Sequence, residues 1–108
     1  MTADNEVRER ERRQLDLMLD RLEGFRSGEL EIRGVIDDLS ALLYQLELVS
    51  ETWRDEFQDA WAELEIAYAV ALDRRRKIPT AASDATVGDA VTTLIALVRQ
   101  HLDALEDT

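Results

Sequence analysis

The chain has 108 residues, enough for one domain with a single core; 45% are hydrophobic and 34% are charged. Lys and Arg total 13 against 24 Asp and Glu, and the net charge of −11 disfavours nucleic acid and anionic membranes while it attracts a basic protein. The absence of cysteine excludes disulfides and thiolate metal sites. No apolar run reaches the roughly 18 residues of a membrane span, and the charged start lacks the apolar core of a signal peptide. We therefore expect a cytoplasmic protein that does not bind membranes.

Apolar residues recur with a 3.6-residue period over long stretches that contain little Gly or Pro, which predicts an all-α fold. Short connections between these stretches favour an antiparallel four-helix bundle. The predicted helices span about residues 5–25, 30–48, 52–75 and 85–106. Residues 1–13 alternate Glu and Arg, so we expect a solvated lead-in, helical or frayed, before one domain over residues 14–108.

The boundary between the second and third helices has two interpretations. Ser50 or Thr52 can cap a new helix, which favours a tight turn near residues 49–51. However, the apolar period continues from Ile32 to Leu72, so one helix of about 44 residues is the alternative. The turn is favoured because so long a helix would leave too little chain to cover it.

Two other helix ends carry clearer signals. Ser27-Gly28 closes the first helix, since Gly tolerates the left-handed cap conformation. Residues 74–86 contain the only proline and many small polar residues, which predicts the longest loop. The fourth helix then begins at Ser83-Asp84 or at Thr86.

Residues 52–72 combine both tryptophans with five carboxylates, which raises the question of a metal or ligand site. Helical spacing of 100° per residue places four side chains within about 40° of Phe57, namely Trp53, Trp61, Leu64 and Tyr68. The acids Glu56, Asp55, Asp59 and Glu63 lie about 100° or more from Phe57. The pattern therefore indicates an aromatic core face and an acidic outer face, and we expect no metal bound between the helices.

Signals for catalysis are absent from the sequence. The single histidine, His101, lies on the apolar arc of the fourth helix without an acid or nucleophile that the sequence places beside it. We expect a hydrogen-bonded histidine at the edge of the core. No Gly-x-Ser-x-Gly turn or glycine-rich phosphate loop occurs, so we predict no enzyme activity and no cofactor.

The basic run Arg74, Arg75, Arg76 and Lys77 follows the third helix. Cations at that position complement the negative end of the helix dipole. The alternative is a contact with a phosphate or an acidic partner.

Two surface features indicate a binding role. Residues 37–65 carry nine acids against Arg54 alone, a net charge of −8, which is either a solvated face or a surface that steers a basic protein. Four apolar side chains also fall off the core stripes. These side chains are Tyr44, Leu48, Ile66 and Val70. Apolar residues outside the core stripes predict self-association as a homodimer or a groove for a partner.

Residues 22–72 show a short helix with a Gly turn, an Ile- and Leu-rich helix, and a helix with aromatics at four-residue steps; the residues of this pattern are Phe25, Gly28, Ile32, Leu39, Trp53, Phe57 and Trp61. In this pattern about half of the chain resembles small bacterial all-helical immunity proteins, including the colicin D immunity group. The resemblance implies a protein that blocks a cognate toxin, often a nuclease, through acidic side chains. It places Asp55, Glu56, Asp59 and Glu63 on the inhibitory face. The alternative hypothesis is a self-associating structural or regulatory helical protein.

Overall fold

The computed structural model describes the backbone of residues 2–106 and the side chains of residues 4–106. It contains four helices and no strand within that range: α1 (Thr2–Arg26), α2 (Ile32–Gln45), α3 (Glu51–Asp73) and α4 (Ala85–Glu106). Each helix packs against its neighbours in the chain, and α1 also packs against α4, which closes the bundle. The particle is elongated, with extents of 53 × 25 × 19 Å. The predicted all-α four-helix bundle is confirmed.

The inward stripes of the four helices form one core. On α1 the stripe consists of Leu15, Met18, Leu22 and Phe25, all fully buried. On α3, Trp53 and Phe57 stack with ring centroids 5.2 Å apart, and both are buried as predicted. The two indoles also fasten neighbouring helices: Trp53 Nε1 donates to the Leu97 carbonyl, and Trp61 Nε1 donates to the Ile36 carbonyl, each at 2.9 Å. These bonds satisfy the polar edge of a large apolar ring inside the bundle.

The helix ends follow the predicted capping residues. Gly28 has φ +88°, and the Glu29 amide donates back to the Gly24 carbonyl at 2.8 Å, as in a Schellman motif. Ser50 caps α3 by accepting the Trp53 amide at 3.1 Å. Asp84 caps α4 by accepting the amides of Thr86 and Val87. Of the alternatives left open by the sequence, Ser50 and Asp84 are therefore the caps.

The second and third helices are separate, as favoured from the sequence. α2 ends at Gln45 rather than near residue 48, because Leu46 is extended (φ −73°, ψ 135°). Arg54 on α3 donates to the Leu43 and Leu46 carbonyls at 3.1 and 2.9 Å, so its guanidinium satisfies the open end of α2. A continuous helix would have left no such end to satisfy.

Candidate functional site

A buried carboxylate joins three parts of the bundle. Glu11 on α1 is only 1% exposed, and its two oxygens accept the backbone amides of Glu47 and Leu48, both at 2.8 Å. His101 Nε2 on α4 lies 3.1 Å from the Glu11 carboxylate. Within the charged lead-in predicted over residues 1–13, the chain is helical from Thr2, and Glu11 is buried rather than solvated. Glu11 is buried because the segment between α2 and α3 folds over α1 and offers it two amide donors.

The predicted hydrogen-bonded histidine at the edge of the core is confirmed. The His101 side chain is 10% exposed, and its ring lies 5.6 Å from that of Trp53, tilted by 47°. Both carboxylate oxygens of Glu11 are already bonded to backbone, so the pair joins α1, α4 and the segment between α2 and α3. This arrangement stabilises the bundle and faces its interior.

The sequence contained a signal for Glu11. It lies four residues before Leu15 and seven before Met18, on the same inward stripe of α1. A carboxylate at such a position needs a buried partner, and His101 occupies the corresponding apolar arc of α4.

The outward acidic face lies on α3 as predicted. Asp55, Glu56, Asp59 and Glu63 are all exposed. The structure brings Glu56, Asp59 and Glu63 together in a groove between α3 and α4, where Asp89 of α4 joins them. Asp55 lies outside this groove, although it is on the same helix. Asp89 is the groove residue that the sequence reasoning missed, because its position depends on how α4 packs against α3.

Small side chains create this acidic groove. Its floor contains Ala60 of α3 and Ala90 of α4, which are 8% and 6% exposed. Thr86 and Thr93 of α4 complete the wall. The groove is open to solvent and has a volume of about 480 Å³. Because alanine and threonine fill little space, the carboxylates stand above an open channel.

The carboxylates of the acidic groove are not neutralised by ion pairs within the described part of the chain. Among residues 4–106, none of Glu56, Asp59, Glu63 and Asp89 forms an ion pair. Three acids elsewhere on the bundle do form ion pairs with arginines, each at 3.0 Å: Glu47 with Arg10, Asp38 with Arg21, and Glu23 with Arg99. Arg54, the one cation of α3, bonds to the carbonyls of α2. The carboxylates of α3 in this groove therefore keep their negative charge unpaired within residues 4–106.

An apolar groove continues from the acidic one. Ile66 and Val70 are 57% and 39% exposed, and they line a space of about 260 Å³ with the chain that follows α3. The two grooves share Glu63 and Thr86, so they are adjacent. Arg76 and Lys77 of the predicted basic run border the apolar groove.

The four residues predicted for self-association do not form one patch. Tyr44 and Leu48 are 89% and 44% exposed and lie where α2 ends, beside the start of α3. Ile66 follows Arg54, which binds the end of α2, by twelve residues, or about 18 Å of helix. The apolar surface is therefore divided between two places on the bundle.

Within the described residues, no group of His, Asp and Glu side chains is arranged to hold a metal ion, and no helix has the length and apolarity of a membrane span. Comparison with known proteins yields no matching family model, curated protein or solved structure.

Proposed function

We propose that this chain is a non-catalytic binding protein whose acidic α3 surface docks a basic protein. The observation that supports this proposal is the set of unpaired carboxylates around the α3–α4 groove. Like charges at three- and four-residue spacing on a helix repel one another and lower its stability. A surface that keeps this repulsion without internal ion pairs is suited to a cationic partner, which removes the repulsion when it binds.

The most specific form of this proposal is an immunity-type inhibitor of a basic toxin. The resemblance of residues 22–72 to helical immunity proteins suggests this role, and the acidic groove supplies a mechanism. Glu56, Asp59 and Glu63 would occupy the cationic surface on which a nuclease holds phosphates, so that substrate is excluded.

The test measures binding of the purified chain to the product of the adjacent gene by surface plasmon resonance. The triple variant Glu56→Gln/Asp59→Asn/Glu63→Gln should slow association at low salt by at least about tenfold, and raising the salt concentration should slow the unmodified chain similarly. The matched control, Glu23→Gln/Asp38→Asn/Glu47→Gln, changes the net charge equally at three carboxylates that lie outside the groove. Equal effects of the two triple variants, or binding that ignores salt, would exclude this use of the groove.

A second candidate function is self-association through the apolar surface. The 89% exposure of Tyr44 favours self-association, because burying so large an aromatic side chain at an interface lowers the free energy. Light scattering after gel filtration should then give the dimer mass, and Tyr44→Ser/Leu48→Ser should return the chain to a monomer. A strictly monomeric unmodified chain at high concentration contradicts this function.

A further inference from the structure

We infer that the joined acidic and apolar grooves receive one basic amphipathic helix of the partner. Its apolar residues would cover Ile66 and Val70, and its cations would lie against Glu56, Asp59 and Glu63. This inference rests on the proposed function and specifies the structural element that the partner contributes.

The spacing of the exposed residues on α3 fits a helix in the groove. Glu56, Asp59, Glu63, Ile66 and Val70 follow one another at alternating intervals of three and four residues. This is the interval at which helices meet along a seam, and it places all five residues within an arc of about 80°. From the first to the last residue the seam is about 21 Å long, which matches a partner helix of about four turns.

The second wall of the groove supports the same occupant. Thr86, Asp89 and Thr93 repeat the three- and four-residue spacing along α4. On the N-terminal side of α4, the wall continues as the loop segment that contains Arg76, Lys77 and the buried Pro79. A helix seated between these walls would contact two elements along its whole length, as helices do in bundles.

The order of charges along the seam determines the chemistry of the partner helix. The acids Glu56, Asp59 and Glu63 come first and the apolar pair follows. Arg76 and Lys77 lie at the far end, where the acid Asp84 also lines the groove but already accepts the amides at the start of α4. A complementary helix therefore carries Lys or Arg at one end of its stripe, bulky apolar residues next, and an acid at the other end. A second copy of this chain is disfavoured, because each copy has a net charge of −11 and the groove itself is acidic.

The experiment uses a fluorescein-labelled, alanine-based helical peptide of about four turns with that order of residues along one stripe. A second peptide has the same composition, with its charged and apolar residues distributed around the helix. Fluorescence anisotropy with the intact chain should show binding of the patterned peptide at least about tenfold tighter than that of the redistributed one, because only the first matches both halves of the groove.

Two double variants test the apolar half. Ile66→Ser/Val70→Ser should weaken binding of the patterned peptide by about tenfold, because both side chains lose apolar contact area. Leu17→Ser/Leu72→Ser is the matched control, since these leucines are 44% and 53% exposed but lie outside the groove. It should change the affinity less than about twofold. All four positions are exposed, so the variants should keep the fold, which circular dichroism checks.

The outcomes separate this inference from the proposed function. Helix docking is refuted if the two peptides bind equally or if Ile66→Ser/Val70→Ser has no effect. The acidic surface keeps its proposed role in either case if the carboxylate triple variant still prevents binding of the natural partner. If neither set of variants affects the natural partner, both are refuted. A basic helix as the occupant is also refuted if the apolar double variant abolishes binding of the patterned peptide while the triple variant of Glu56, Asp59 and Glu63 leaves its affinity unchanged.

Discussion

Removing the Glu11 carboxylate tests whether this buried group stabilises the bundle. In Glu11→Ala, the amides of Glu47 and Leu48 lose their acceptor and His101 loses its partner. Hydrogen bonds to a charged group contribute roughly 1.5–3 kcal/mol each, and the two amides alone would lose twice that amount if they stayed unsatisfied. Leu48 is 44% exposed, so water can satisfy part of this loss. We expect the free energy of unfolding to fall by about 3–4 kcal/mol, between full loss and partial hydration.

Urea unfolding followed by circular dichroism at 222 nm measures this change. The control is Glu9→Ala, an exposed glutamate on the same helix, which should change the free energy by less than about 0.5 kcal/mol. The double variant Glu11→Ala/His101→Ala should lose less than the sum of the two single variants, because neither side chain then leaves the other unpartnered. A loss below about 1 kcal/mol in Glu11→Ala, with an unchanged slope, would refute the reasoning.

Two further predictions concern α4 and α3. In Gly88→Ala, the new Cβ would lie 2.8 Å from the Ala81 carbonyl oxygen, so the α3–α4 loop must shift and thermal unfolding should show a loss of about 1–3 kcal/mol. Gly34→Ala, in an exposed helical position with open space, should instead stabilise the chain by about 0.5–1 kcal/mol; equal signs for the two glycines would contradict the steric argument. Asp59→Asn/Glu63→Gln should raise the melting temperature at low salt, since like charges four residues apart cost about 0.2–0.5 kcal/mol, and the gain should shrink as salt is added. A lower melting temperature at low salt would show that these carboxylates are stabilised within the chain.

The buried face of each helix was predictable from the sequence because it depends on the local period of the apolar residues. The 3.6-residue spacing separated Trp53 and Phe57 from Asp59 and Glu63, and the structure buries the first two and exposes the others. Ser50 was among the predicted caps because side-chain capping acts over three residues.

The features that the sequence reasoning missed depend on contacts between distant parts of the chain. Glu11 meets the Leu48 amide 37 residues away and His101 90 residues away. Asp89 reaches the acidic groove only through the packing of α4 on α3. A charge pattern read along one helix gives the face of a residue, whereas its neighbours depend on the relative positions of two helices.

The Glu11 junction also has a consequence for folding kinetics. It joins α1 to a histidine 90 residues further along the chain, so it can form only after almost the whole chain has closed into a loop. Local helices and the α2–α3 pair require much shorter loops and should form earlier. Contacts made after the transition state slow unfolding and leave the folding rate nearly unchanged. The buried carboxylate would then extend the lifetime of the folded bundle without making it fold faster.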